Sequence, residues 1–432
     1  MRPSIYAVWL ALAAALMPSY GAAQDQLTFD QAIAIAVGSD PWLDGSRYSE
    51  AALEDEAIAA AQLPDPQVAV TALNFPTDTF NFGQEPMTQF ALGISQMFPR
   101  GHSRALSRQQ KELLAAREPL LRADRRARVT AVVARLWLDA YRARESIHLI
   151  EGDRALFEQL VDAAVAGYAS AQGRTRQPDV IRAQLELTRL DDRLTVLQQR
   201  RDSAERKLAE WVQGAGTTGG ALPHLEPLLP VKDRRPASAW YQQLHLHPAV
   251  LALDAKIDAA ATGIDLARQK YKPEWGLKAA YGIRGEDPAG QERTDLLTVG
   301  VSFDLPLFTA KRQDKILSAA VARTAATETE KSLLIRKLLA QLENARLQLI
   351  RLDQRRTLYR QQLLPQMREQ AEASLAAYYN DEGDFAEAVR ARIAELNAKI
   401  DALDIAVERL QVIAQLNYLL TRVPAETGEP QK

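Results

Sequence analysis

The chain alternates between two kinds of hydrophobic rhythm. Along most of its length apolar residues step by three and four, as on one face of a helix that winds around another. Val129, Val133, Leu136, Ala140, Ala143, Ile147 and Ile150 do so, as do Ile335, Leu338, Leu342, Ala345, Leu349 and Leu352. Ile393, Leu396, Ile400, Leu403, Val407 and Leu410 keep the same step. Four short stretches switch to period two. Val68, Val70 and Ala72, then Phe90, Leu92 and Ile94, alternate with Ala69, Thr71, Ala91, Gly93 and Ser95. Further on, Trp275, Leu277, Ala279, Tyr281 and Leu297, Val299, Val301, Phe303 alternate with Gly276, Lys278, Ala280, Thr298, Gly300 and Ser302. One apolar and one small or polar face is strand behaviour, and about ten residues is the length a tilted strand needs to cross a bilayer. The pattern predicts a mainly α protein with a small β part, placing strands at ~66–75, ~88–97, ~274–283 and ~295–304.

The order of elements occurs twice. Asp40-Pro41 returns as His247-Pro248, a shift of 207, and Leu63-Pro64 as Lys272-Pro273, a shift of 209. Gly93-Ile94-Ser95 with Pro99 returns as Gly300-Val301-Ser302 with Pro306, and Arg182-Ala183 with Leu185 as Arg390-Ala391 with Ile393. We read a duplication, with one repeat over 24–213, a linker over 214–237, a second repeat over 238–422 and a tail over 423–432. Each repeat carries a helical segment (29–62 and 239–270), two strands and a long helix pair. The helix from about 101 to 171 would extend roughly 100 Å at 1.5 Å per residue, with a kink or short loop expected at Pro119. The second repeat has no matching proline; Pro365 falls much later.

Residues 1–23 read as a signal peptide: Arg2, an apolar run from Ile5 to Leu16, Pro18, and small residues ending at Ala23. That run is too short to span a bilayer, and no later stretch is long and apolar enough, so a membrane location requires strands. The chain has no Cys, which excludes disulfides, thiolate chemistry and a thioether-linked lipid. With 53 Lys and Arg against 55 Asp and Glu, the net charge of −2 gives no footing to nucleic-acid binding.

Candidate chemistry is sparse. Gly214, Gly216 and Gly219 satisfy GxGxxG, but after a helix and before Pro-rich coil, where linker is the better reading. His245-Leu-His247 has no carboxylates beside it and reads as structural or as surface. Hydrolase, zincin and P-loop signatures are absent, so neither an enzyme nor a metal or other cofactor is expected. Four strands of ten residues cannot close a barrel, which needs about eight. An open edge in lipid costs several kcal/mol per unpaired backbone group, so the strands must be pooled between subunits.

In this plan the chain resembles the TolC-type outer-membrane efflux proteins. The residues that carry the likeness are Asp40-Pro41, Gly93-Ile-Ser-Gln-Met-Phe-Pro99 and Gly300-Val-Ser-Phe-Asp-Leu-Pro306, with the segments Tyr168 to Ala183 and Tyr378 to Ala391. The resemblance implies long antiparallel coiled-coil helices and a homotrimer with a twelve-stranded β-barrel in the outer membrane, continued by an α-helical periplasmic tunnel. It also implies a periplasmic adaptor and an inner-membrane pump of the RND type as partners, passive export of small solutes, and no chemistry by the channel itself. The motif Gly-Ile-Ser-Gln-x-Phe-Pro leans towards metal cations over drugs as the exported solute. A periplasmic coiled-coil adaptor or a structural coiled-coil protein is the alternative.

The family tunnel closes near the helix-to-helix turns. In this sequence those turns are Tyr168 to Ala183, with Arg174, Arg176, Asp179 and Arg182, and Tyr378 to Ala391, with Asp381, Glu382, Asp384, Glu387 and Arg390. The family pattern places an acid, two apolar residues and often a second acid before an Ala. Here Asp179 and Glu387 hold the first position, but Arg182 and Arg390 hold the second. Threefold symmetry turns one carboxylate into a ring, so Glu387 with Asp384 and Asp381 is the expected cation-attracting constriction. The basic first turn is the expected latch for it.

Overall fold

The computed structural model describes residues 27–169, 176–212, 219–228, 237–380 and 382–423. The segment read as a signal peptide and most of the linker therefore lie outside the described residues.

Among the described residues the first element is α1 (Phe29–Gly38), started by a reciprocal cap: the Thr28 N–H donates to Gln31 Oε1 at 2.9 Å and the Gln31 N–H to Thr28 Oγ1 at 3.3 Å. Next comes α2 (Pro41–Ala60), whose first turn is set by Asp40 accepting from the Trp42 N–H at 3.1 Å, with Pro41 in the position where a missing N–H costs nothing. In the second half α5 (Ala237–Leu244) precedes α6 (Pro248–Gln269), and His247 caps α6 through Nδ1, which accepts from the Ala249 N–H at 3.2 Å. The recurring X-Pro pair thus splits each expected single helix into two.

Two long helices follow the first strand pair: α3 (Ser103–Ala169) and α4 (Gln177–Ala209). After the second pair come α7 (Gln313–Leu358), a five-residue π-turn (Tyr359–Leu363), α8 (Leu364–Tyr379) and α9 (Phe385–Leu419). The expected break at Pro119 does not occur, since α3 runs through it as one helix of 67 residues. Proline removes a single N–H donor, and the flanking turns hold the helix on either side. The interruption falls at Pro365 instead. Immediately before it the Leu364 N–H donates five residues back, to the Tyr359 carbonyl, which widens the turn where the proline ring needs room.

The stepped apolar positions are the core. All seven from Val129 to Ile150 and all six from Ile335 to Leu352 are buried. Burying one such Leu or Ile side chain stabilises by about 1.5–3 kcal/mol, against at most ~0.7 kcal/mol for helix-propensity differences among ordinary residues. Packing therefore decides where these helices lie.

Contacts divide the chain into two compact units that do not follow the two halves of the sequence. One takes residues 1–39, 129–226 and 349–414; the other takes 40–128, 227–348 and 415–432. The core of the first unit joins α3 (Ile147, Ile150, Phe157, Leu160, Ala164), α4 (Ala183, Leu190, Leu194, Leu197) and α9 (Phe385, Val389, Leu396, Ile400). The second unit contains all four strands.

Candidate functional site

The strands β1 (Gln67–Leu73), β2 (Gln89–Phe98), β3 (Trp275–Arg284) and β4 (Leu296–Phe303) fall on the four period-two stretches. They form one antiparallel sheet in the order β1-β2-β3-β4. Strands from the two halves of the chain meet at its centre, where Gln89 to Phe98 pair with Arg284 to Trp275.

Register decides what each face is made of, because a slip of one residue would exchange the faces. Val68 stands opposite Ile94, Val70 opposite Leu92, Leu92 opposite Tyr281, Leu277 opposite Val301, and Tyr281 opposite Leu297. Apolar positions therefore meet apolar positions across this face, with Gln96 opposite Leu277 as the exception. The resulting face is open: Val70 is 77% exposed, Leu297 73% and Val299 71%. Water-soluble monomers rarely leave so continuous an apolar surface uncovered. The opposite face holds Thr71, Gly93, Ser95, Gly276, Lys278, Thr298 and Ser302. Aromatic rings stand at both ends of the sheet. Trp275 and Phe303 lie 5.1 Å apart at one end; at the other, Phe90 lies 5.2 Å from both Phe75 and Phe82. That is the distribution of side chains that favour the boundary between hydrocarbon and water. Among the described residues, β1 and β4 each have one edge without a strand partner.

The second helix-to-helix turn, the expected gate, is built in the first unit. Tyr378 packs edge-on against Phe385, centroids 5.3 Å apart, and both pack into the α3–α4–α9 core. The Glu382 and Gly383 N–H groups both donate to the Ala377 carbonyl, at 2.9 and 3.0 Å. A Cβ on Gly383 would lie 2.9 Å from the Tyr378 nitrogen, so the closeness of this turn requires glycine. Asp384 starts α9 by accepting from the Ala386 N–H at 3.3 Å. Glu387 pairs with Arg390 at 2.8 Å, both more than half exposed. In the first turn Asp179 accepts from the Arg176 N–H at 3.0 Å and lies 3.8 Å from Arg182. Glu387 and Asp179 thus each face an arginine three residues on, in their own turns. Among the described residues no ion pair joins the two turns of one chain. Arg174 and Asp381 lie outside the described residues.

The glycine fingerprint forms no cradle that can be described. Gly214 and Gly216 lie outside the described residues, and the Gly219 N–H is spent on the Leu27 carbonyl. Among the described residues no group of three or more His, Asp or Glu could hold a metal, and no helix is long and apolar enough to cross a membrane.

Two polar clusters were not anticipated. In the first unit a groove of about 770 Å³ is lined by Arg135, Arg142, Arg193, Arg200 and Lys207, against Asp139 and Asp404. Burial raises the Asp404 carboxyl above its ordinary range, opposed by Arg142. The signal was present in the sequence, since 193, 200 and 207 are seven apart. In the second unit Asp124 receives the Tyr418 hydroxyl at 3.0 Å and Arg128 at 2.7 Å, while His247 Nε2 lies 3.2 Å from the Tyr418 carbonyl. Asp40 is nearby in the same unit, held by Arg125 at 2.7 Å. Burial alone would raise its pKa, but the Arg125 hydrogen bond and the Trp42 N–H outweigh it and leave the carboxyl below its usual range.

Burial lowers the His247 pKa below its usual 6.5, with Asp124 opposing and Arg128 assisting. The unfolded chain then binds the extra proton first, so this group's contribution to stability is complete above about pH 6.5 and declines as pH falls towards the folded value. We expect the urea midpoint to drop between pH 7.5 and 5.5 by more in the wild type than in His247→Asn, which keeps a capping acceptor. Equal drops in the two proteins would remove His247 as the cause.

No family model and no curated protein matches this sequence. Solved structures do. CusC, described in connection with folding and transmembrane channel formation, superposes with a TM-score of 0.76 at 14% identity, over 91% of this chain and 92% of that one. A membrane protein from Pseudomonas aeruginosa gives 0.76 at 15% identity, with the same shares covered. The open state of the MtrE outer-membrane channel of Neisseria gonorrhoeae gives 0.71 at 17% identity, over 91% of this chain and 88% of that one. A four-stranded antiparallel sheet with long helices, in this order along the chain, is the fold of the TolC-type outer-membrane efflux proteins.

Proposed function

We propose that this chain is one subunit of an outer-membrane channel that passively exports small solutes, as the outer component of a tripartite efflux system. The carrying observation is the sheet: an apolar face open to its surroundings, with β1 and β4 each unpaired on one edge among the described residues. In water that face would drive aggregation, and in lipid those edges would leave backbone groups unsatisfied. Both problems vanish when three copies pool four strands each into a twelve-stranded barrel. The face with Thr71, Ser95, Lys278 and Ser302 then lines an aqueous pore. A coiled-coil adaptor or a purely structural coiled coil has no use for such a face.

On this reading residues 1–23 direct export, the repeats 24–213 and 238–422 descend from one duplicated unit joined by the linker 214–237, and the helices form a periplasmic tunnel. The partners are two sister subunits, outer-membrane lipid, a periplasmic adaptor and an inner-membrane pump of the RND type. The exported solute is a metal cation or a drug, chosen by the pump. The channel itself performs no chemistry.

Glu387, with Glu382, Asp384 and Asp381, forms the selective constriction in this proposal, and Arg390 moderates it. An arginine 2.8 Å from the ring-forming carboxylate cancels much of its field. Removing either partner should therefore move selectivity in opposite directions. In planar bilayers Glu387→Ala is expected to lower the cation-to-anion permeability ratio at least about twofold and Arg390→Ala to raise it, with rings of charge governing passage. Unchanged ratios in both variants would place the filter elsewhere, and absence of any conductance in the wild type would overturn the channel itself.

A further inference from the structure

The alternation of β4 does not stop where β4 does. Leu297, Val299, Val301 and Phe303 occupy the apolar face, and the odd-numbered series continues through Leu305 and Leu307 after the strand has ended. Leu305 is 60% exposed, Leu307 71% and Phe308 87%. Phe308 is the most exposed large apolar side chain among the described residues. Directly behind it stand Lys311, Arg312 and Lys315, all exposed, around a shallow groove of about 430 Å³ that Arg323 also lines.

These cations are not compensated locally. The acidic residues beside them are already engaged: Asp304 accepts from Arg100 and from the Glu274 N–H at 2.7 Å, and Asp314 accepts from the Tyr271 hydroxyl at 2.6 Å. The corresponding segment of the first half, residues 98–108, offers no such surface: Phe98 is half-buried, and Arg100 and Gly101 stand where Leu307 and Phe308 do. Its cations are engaged, Arg100 with Asp304 and the Lys272 carbonyl, Arg104 with the Ala61 carbonyl at 3.2 Å and Arg108 with Glu112 at 2.7 Å. The feature therefore belongs to the second strand pair alone.

We propose that residues 305–315 form a lipid anchor at the periplasmic rim of the barrel. Leu305, Leu307 and Phe308 sit among acyl chains, and Lys311, Arg312 and Lys315 bind the phosphates of an anionic phospholipid leaflet. Apolar side chains followed by uncompensated cations match the order of hydrocarbon and headgroup in a leaflet, and the apolar part continues the strand face assigned to lipid. The inference rests on the channel reading for that face. Three copies would place three anchors around one trimer.

Because the chain has no Cys, a nitroxide can be attached at a single introduced cysteine without background. Full-length trimer carrying Val299→Cys or Phe308→Cys is reconstituted into vesicles of phosphatidylcholine with phosphatidylglycerol, and the label's accessibility to oxygen and to a water-soluble nickel chelate is measured. Both sites are expected to be open to oxygen and shielded from nickel. Nickel access at both sites would sink the channel reading along with the anchor. Nickel access at 308 with shielding at 299 would overturn the anchor alone. Shielding of 308 from both reagents would show that another copy of the chain covers it, which also overturns the anchor. In the triple variant Lys311→Gln, Arg312→Gln, Lys315→Gln, retention of phosphatidylglycerol over phosphatidylcholine through detergent extraction should fall roughly fivefold per cation removed. An unchanged lipid ratio would refute the headgroup contact.

Discussion

Val299→Arg is expected to remove the protein from the outer membrane as an assembled trimer. Val299 is 71% exposed in a single chain, so in a water-soluble protein an arginine there would be harmless or would improve solubility. In a bilayer the same side chain near mid-strand costs about 2–4 kcal/mol. The charge enters once per subunit, so a trimer bears it three times. Thr298→Arg, one residue away, lies on the opposite face, which lines the water-filled pore in the proposed channel. It should assemble normally and shift ion preference towards anions. Outer-membrane fractions run on gels without boiling report both results. Equal trimer yields from the two variants would mean that the faces are not divided between lipid and water.

The second large effect belongs to the core. Trp137 is 1% exposed on α3, with Phe29 of α1 edge-on at 6.0 Å. It also has the Arg144 guanidinium 5.8 Å from its ring centroid. Replacing it with alanine leaves a cavity between α1 and α3, at a cost of about 3–5 kcal/mol. The urea midpoint should fall accordingly, with the slope of the transition unchanged. A loss below ~1 kcal/mol would mean that α1 is not docked on α3 as described.

The fold was largely legible in the sequence because two physical periods were kept strictly. Residues such as Leu338, Leu342 and Leu349 step at helical spacing and are buried; Leu297, Val299 and Val301 alternate and share one sheet face. Proline was read less well. The same residue type is absorbed within α3 at Pro119 yet marks a π-turn at Pro365, a choice made by the packing of each helix and not by the local sequence. The gate candidates were legible as charges but not as pairs. That Glu387 meets Arg390, and Asp179 meets Arg182, depends on helical spacing three residues apart, which was available. The Asp124–Arg128–Tyr418 cluster was not available, because it joins positions nearly 300 residues apart. His247 was readable only as structural or surface; its shift of 207 from Asp40, a helix cap, held the more specific answer.

The claim that strands of separate copies complete one barrel is tested most directly by cross-linking β1 to β4. In one chain these strands lie at opposite edges of the sheet, three strand spacings of about 4.8 Å apart, too far for a disulfide. A bond between them must therefore join two molecules. Double-cysteine proteins combining Val68 or Val70 with Leu297, Val299 or Val301 keep both thiols on the same face. Oxidised in cells, at least one of these combinations should give covalent dimers and trimers and nothing larger. No covalent product from any combination, or a ladder continuing past three, would contradict the account.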